Sequence, residues 1–220
     1  MENNTVTLIG ATGLIGSHIL RLLEADPYFS SIRVLVRRPI DSTSPKTDVM
    51  VVNFEDETQV RQALAGSSAV FCAIGTTNSK VKGDKAAYRK VDHDIPVRTA
   101  RLCRETACPQ LLLVSSVGAD AGSGNFYLKL KGQVEDEIRQ TGLHAVAVFR
   151  PSLLLGQRKE FRAGERLAQW IMPVFGTFLP SRLRPVQARD VALAMVKACK
   201  KAIPGYHVLH YNEIRAYAGM

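Results

Sequence analysis

The heptapeptide Gly10-Ala11-Thr12-Gly13-Leu14-Ile15-Gly16 decides the fold. It closes an apolar run, Thr5 to Gly10 (TVTLIG), that reads as a buried strand. It also opens Leu14 to Ala25, where Ile15, Ile19, Leu22 and Leu23 recur at helical spacing. A glycine string alone is weak evidence; with a strand before it and an amphipathic helix after it, it reads as a phosphate-binding turn. Gly10 permits the tight turn, Gly13 lets the backbone approach a pyrophosphate, and Gly16 lets the helix pack close to the strand. The N–H groups of Leu14 and Ile15 lie where a helix has no internal acceptors, so they are free to meet phosphate oxygens, with Thr12 beside them in the turn.

Outward from this turn, strands and helices alternate. Asp26-Pro27 stops the first helix. Ile32 to Val36, Asp48 to Asn53, Ala69 to Ile74, Gln110 to Ser115 and Ala145 to Arg150 read as strands. Glu57 to Ala65, a long segment within Asp84 to Thr106, and Phe126 to Thr141 read as helices, with Pro96 expected to kink or break the long one. Such alternation is the signature of a parallel sheet covered on both faces. The expected fold is α/β, a single-domain Rossmann fold with a parallel doubly wound sheet of order 3-2-1-4-5-6. Beyond Pro151 the alternation decays, leaving a helix at Ala188 to Lys201 and a short strand at Tyr206 to Leu209. Residues 151–220 are therefore expected to form a small C-terminal substrate or lid portion of one domain spanning residues 1–220.

The end of the second strand selects the dinucleotide. An NAD site places Asp or Glu there to bond the ribose 2′-hydroxyl. This chain has Arg37 and Arg38, and no carboxylate until Asp41. A guanidinium pairs with a 2′-phosphate through charge-assisted hydrogen bonds, so NADP(H) is expected over NAD(H), with Arg37 favoured over Arg38. Ligands lie outside the carboxyl ends of such strands. Topology therefore puts Asn53 near the adenine, and Gly75-Thr76 under the adenosine ribose and pyrophosphate.

Tyr127 and Lys131 share one face of a helix. A nearby ammonium stabilises phenolate and makes the tyrosine a usable proton donor or acceptor, and the same lysine can hold the nicotinamide ribose. The pair follows the fifth strand, whose end carries Ser115-Ser116. A serine hydroxyl there can bond a substrate carbonyl and stabilise developing oxyanion charge. Ser116 is the preferred member, because alternation along the strand can turn Ser115 into the sheet.

In their order, GATGLIG, the basic pair after the second strand, SSVGAD, YLKLK and FRPSLLLGQR resemble an atypical short-chain dehydrogenase/reductase. Within that superfamily the chain is most similar to the Tat-interacting-protein-like NAD(P)H-binding oxidoreductases, from Val6 to about Tyr211. The resemblance implies a Ser-Tyr-Lys constellation at Ser116, Tyr127 and Lys131, and hydride transfer between nicotinamide C4 and a small carbonyl or alcohol. It further implies that Pro151-Ser152-Leu153 lies near the nicotinamide carboxamide. Arg150 and Arg158 match arginines close to cofactor or substrate, with a surface or structural ion pair as the alternative for each. The segment from Ser116 to Tyr127 is short and the C-terminal portion is smaller than in extended members. A second reading thus stands beside the first: a redox sensor or regulatory protein that binds NADP(H) with little or no turnover.

Composition excludes other classes. The net charge of +9 comes from scattered Lys and Arg without an aromatic-interleaved basic motif, which argues against nucleic acid as the main partner. Cys72, Cys103, Cys108 and Cys199 form no CxxC pair and no zinc-spaced cluster, so buried reduced thiols and no metal are expected. His93, His144, His207 and His210 show no ligand spacing. The N-terminus reads as polar with no secretory leader, and Leu167 to Pro180 is too short and too broken by Pro173 and Gly176 to span a bilayer. A soluble cytoplasmic monomer or homodimer without membrane insertion is the expectation. Trp170, Met172, Phe175 and Phe178, near Gly164 and Gly176, can line a pocket under a lid or pack a core or dimer interface. Packing is favoured.

Overall fold

The computed structural model describes residues 4–77, 81–156 and 180–219. In chain order the first half comprises β1 (Thr5–Ile9), α1 (Leu14–Ala25), β2 (Ser31–Val36), β3 (Thr47–Val51), α2 (Glu57–Leu64) and β4 (Ala69–Cys72). One long helical stretch follows: α3 (Lys85–Arg89), a π turn (Lys90–Asp94) and α4 (Ile95–Glu105). Then come β5 (Gln110–Val114), α5 (Phe126–Gln140), β6 (Ala145–Phe149) and β7 (Leu154–Leu155). The C-terminal part holds a 3-10 turn (Ser181–Leu183), β8 (Val186–Gln187), α6 (Ala188–Lys201), β9 (Gly205–Leu209) and α7 (Tyr211–Ala218).

The main sheet has the order β3-β2-β1-β4-β5-β6-β9, with every neighbouring pair parallel. The expected order is thus observed, and β9 extends it along β6. Strands β1 and β4 are buried at every position, which is why they read as unbroken apolar runs: both of their faces are covered. On one face Ile19, Leu23, Met195 and Ile214, from α1, α6 and α7, pack against Phe71 and Leu112. On the other, Leu64, Leu102, Val134 and Ile138, from α2, α4 and α5, pack against Leu111 and Leu113. The split of Leu112 from Leu111 and Leu113 follows from the alternation of side chains along a strand.

The disturbance expected at Pro96 takes the form of the π turn: the helical stretch runs on, with Pro96 in the first turn of α4 directly after it. Proline has no N–H to donate to the Asp92 carbonyl four residues earlier, and the widened π turn accommodates that loss. Helix α7 and the two-residue pair β7–β8 were not expected. Glu213, which accepts the His210 N–H at 3.0 Å, and Gly219, left-handed at the C-cap, mark the ends of α7.

Candidate active site

The glycine turn is squeezed between α1 and the end of β4. Gly10 takes φ +93°, and the Gly13 N–H donates to the Gly10 carbonyl at 2.9 Å. A Cβ at Gly10 would stand 2.6 Å from the carbonyl of Ala73, and one at Gly16 would collide with the Gly10 carbonyl. At Gly13 the added carbon would lie 3.2 Å from the same oxygen. Gly13 is the N-cap of α1, so no side chain caps this helix, and its first turn carries no acid. Thr12 is exposed and Leu14 half-buried at the mouth, while Ile15 packs inward. Across the turn, Gly156 approaches Leu14 so closely that a Cβ there would lie 3.1 Å from Leu14 Cδ1, which places the segment after β6 beside the turn. An uncapped helix end with a backbone cradle that admits no side chain fits a pyrophosphate.

Arg37 and Arg38 are exposed on a bend directly after β2, and neither bonds to another described residue. Asn53 is exposed just beyond β3. Its Oδ1 accepts the Glu55 N–H at 3.0 Å, so its side-chain amide N–H groups remain for a ligand. Gly75 is exposed after β4. Thr76 is buried, its N–H donates to Asp92 Oδ2 at 2.7 Å, and its carbonyl accepts from Tyr88 Oη at 3.3 Å. The Thr76 backbone thus serves the protein, leaving Gly75 as the open position of that loop.

The two serines have different surroundings. Hydrogen bonds from Ser115 N–H to Phe149 O (2.8 Å) and from Val117 N–H to Pro151 O (2.9 Å) prolong the β5–β6 ladder. Alternation then turns Ser115 towards α5, where its hydroxyl donates to the buried Glu135 carboxylate. Arg150 grips the same carboxylate through Nε at 3.0 Å and Nη2 at 2.6 Å, and Tyr206 Oη donates to the Glu135 backbone carbonyl at 3.2 Å. The Glu135 hydrogen bond holds the Arg150 guanidinium above its ordinary pKa, although burial opposes it. Arg150 is therefore half of a structural ion pair. Ser116 is half-buried, and among the described residues its hydroxyl donates to the Val117 carbonyl at 3.3 Å.

Helix α5 starts where Asn125 accepts the Tyr127 and Leu128 N–H groups at 3.0 and 3.1 Å. The loop after β5 folds back on its first turns, with the Asp120 N–H donating to Leu128 O at 3.1 Å and Asp120–Ala121 pressed against Gly132, where no Cβ would fit. Gly132, adjacent to Lys131 in sequence, is a site-forming residue that sequence reasoning passed over. Tyr127 is half-buried, with Lys131 Nζ 5.9 Å from its ring centroid and the Tyr88 ring 6.5 Å away. Lys131 is buried and its Nζ lies 3.0 Å from Asp92 Oδ1. Burial disfavours the ammonium, but the Asp92 carboxylate, Tyr127 and Tyr88 outweigh it and hold Lys131 above the usual lysine range. Among the described residues no hydrogen bond joins Ser116 to Tyr127. The structure thus brings Tyr127 and Lys131 together and adds Asp92, which sequence reasoning missed; its one sequence signal is its place one helical turn before Pro96.

Of the segment after β6, Pro151 is buried, Ser152 Oγ donates to the Arg184 carbonyl, and Leu153 O accepts the Val186 N–H at 3.0 Å. Arg158, Trp170, Met172, Phe175 and Phe178 lie outside the described residues. Among the described residues no cluster of His, Cys, Asp or Glu could hold a metal ion, and no helix is long and apolar enough to cross a membrane.

The NAD(P)H-binding family model matches residues 10–202. Protein FMP52, mitochondrial, of Candida albicans is 33% identical over 204 residues, covering 90% of this chain and 89% of that protein. Protein HTATIP2 of Rattus norvegicus is 33% identical over 172 residues, covering 77% of this chain and 70% of its own. Among solved structures, MoeE5 in complex with UDP-glucose and NAD superposes with a TM-score of 0.71 at 16% identity, covering 98% of this chain and 81% of that one. The UDP-glucose 4-epimerase of Thermus thermophilus in complex with NAD gives 0.69 at 18% identity, covering 98% and 82%. At such identities the structures speak for the Rossmann fold alone. The expected cytoplasmic location is corrected by the relatives, several of which carry the name mitochondrial. A secretory leader is an apolar run, whereas a mitochondrial address is an amphipathic, Arg-rich pattern of a different kind. By family match and by relatives along most of its length, the chain belongs to the NAD(P)H-binding family, with FMP52 and HTATIP2 among its relatives.

Proposed function

We propose that the protein is an NADP(H)-dependent oxidoreductase interconverting a small carbonyl and its alcohol, with residues 1–220 acting as one domain and residues 151–220 supplying its substrate side. The observation that carries this is the buried, charged Lys131 beside half-buried Tyr127, at the carboxyl edge of the sheet that also holds the glycine turn. When bound, the nicotinamide gives or accepts a hydride at C4. Tyr127 Oη gives a proton to the substrate oxygen in reduction and takes one in oxidation, and the Lys131 charge stabilises the phenolate left behind. Ser116 polarises the carbonyl. Gly10, Thr12, Gly13, Leu14, Ile15 and Gly16 cradle the pyrophosphate, Arg37 with Arg38 meets the 2′-phosphate, and Asn53 and Gly75 serve the adenosine. Pro151, Ser152 and Leu153 border the carboxamide, and Arg158 is assigned to the cofactor by resemblance.

The test is NADPH oxidation across a panel of aldehydes, ketones and quinones, comparing wild type with Tyr127→Phe. Turnover that collapses in the variant while NADPH still binds supports this function. The missing Ser116–Tyr127 hydrogen bond favours a second reading, cofactor binding without turnover. A folded, NADPH-binding wild type inactive on the whole panel would move the assignment there.

A further inference from the structure

Asp92 is 1% exposed and both of its carboxylate oxygens are in use. Oδ2 accepts the Thr76 N–H at 2.7 Å, and Oδ1 faces Lys131 Nζ at 3.0 Å. One side chain therefore joins the loop after β4, which borders the glycine turn, to the helix that carries Tyr127. The backbone that presents it is itself fixed. Buried Tyr88 meets the same loop residue as Asp92: its Oη donates to the Thr76 carbonyl at 3.3 Å, while the Thr76 N–H donates to Asp92. The next residue, buried His93, binds Asp94 Oδ1 through Nδ1 at 2.9 Å and Glu137 Oε1 through Nε2 at 2.8 Å, which fastens the π turn to α5 a second time. π turns recur where a helix is adapted to a functional site.

From this geometry we infer that Asp92 is the positioning residue for Lys131: it keeps the ammonium charged inside the protein and fixes it beside Tyr127. An ammonium has three N–H donors, and one directed at Asp92 leaves two for the tyrosine side and a bound ribose. The groups around Lys131 are Asp92 from the π turn, Tyr127 from α5, Tyr88 from α3 and Cys72 from β4. Asp92 is the carboxylate among them. Without it, Tyr127 and Tyr88 alone would oppose burial, and the lysine would move towards the neutral amine. For turnover this rests on the oxidoreductase reading; for the state of Lys131 it does not.

The experiment is Asp92→Asn, which keeps the shape and an acceptor for the Thr76 N–H while removing the charge. The readout is the Lys131 signal in protein labelled with 13Cε-lysine, assigned by its loss in Lys131→Met. Wild-type Lys131 is expected to titrate above the ordinary lysine range, and in Asp92→Asn to titrate clearly below the wild type. In turnover, kcat should fall about tenfold or more, and the limb of the pH–rate profile should move with the lysine titration while KM changes little. An unmoved lysine titration, or a variant that loses thermal stability alone, overturns the inference. If Asp92→Asn does not fold, the double variant Asp92→Asn/Lys131→Met, which removes both charges, is expected to fold; its failure would assign Asp92 to the Thr76 loop instead. A shifted lysine titration in a protein whose wild type reduces nothing upholds Asp92 and refutes the oxidoreductase reading.

Discussion

One methyl group added at Gly13 should remove dinucleotide binding and leave the fold almost intact, while the same methyl at Gly16 should damage both. At Gly13 the backbone has φ −77° and ψ 169°, which alanine adopts freely, and the new carbon lies 3.2 Å from the Gly10 oxygen, a few tenths of an ångström too close. Alanine is also a poorer N-cap than glycine, so the apo-protein should lose about 1 kcal/mol. For a chain of this size that is about 2–4 °C in Tm. In the complex the methyl occupies space that the pyrophosphate needs. Losing two charge-assisted hydrogen bonds costs about 3–6 kcal/mol, a fall in affinity of about a hundredfold or more. At Gly16 the added carbon collides with the Gly10 carbonyl oxygen and stands 2.7 Å from its carbon and 3.1 Å from Ala11 Cα, all backbone that can move only by shifting the whole turn. Overpacking of about 1–3 kcal/mol there exceeds the ~1 kcal/mol gained in helix propensity. Differential scanning fluorimetry and titration of NADPH fluorescence separate the two effects. A Gly13→Ala protein that binds NADPH within about threefold of wild type would refute the assignment of this turn to the pyrophosphate.

Three further outcomes follow from named contacts. Arg37→Glu should weaken NADPH by about 10- to 150-fold, as expected for the loss of a charge-assisted hydrogen bond, and leave NADH nearly unchanged; parallel titrations check this, and equal losses for both nucleotides would remove Arg37 from the 2′-phosphate. Burial pushes the Cys72 thiol up to about 11 and Cys199 up to about 12. At pH 8 about one Cys72 in a thousand is thiolate, so Ellman's reagent should be silent towards both in native protein and read both after unfolding in guanidinium; rapid native labelling of either would contradict their burial. Arg150→Ala strands Glu135, whose side chain is 3% exposed, and should cost about 3–5 kcal/mol in urea denaturation. Glu135→Ala leaves Arg150, 22% exposed and able to reach water, and should cost less, so the reverse order would show that this pair does not hold α5 to β6.

The fold was legible wherever the pattern was local. The glycine turn announced β1 and α1, and α1 and the helix Ala188–Lys201 fall at their expected limits. Tyr127 and Lys131 were legible because helical spacing puts them on one face. Asp92 was not, since an acid inside a polar helix reads as solvated. Its burial arises from the π turn ahead of Pro96 and from a lysine on a different helix. Glu135 was hidden for the same reason: its partners Ser115 and Arg150 come from the ends of two strands. Strands β7 and β8 are too short to carry a period, and α7 showed only its terminal signals, His210 with Glu213 and Gly219.

The measurement closest to the centre is calorimetric titration of the folded 220-residue chain with NADPH and, separately, NADH at one ionic strength. Saturable NADPH binding, about tenfold or more tighter than NADH, is the predicted result. A folded protein that binds neither nucleotide would contradict the dinucleotide site itself, and NADH binding as tight as NADPH would contradict the role given to Arg37 and Arg38.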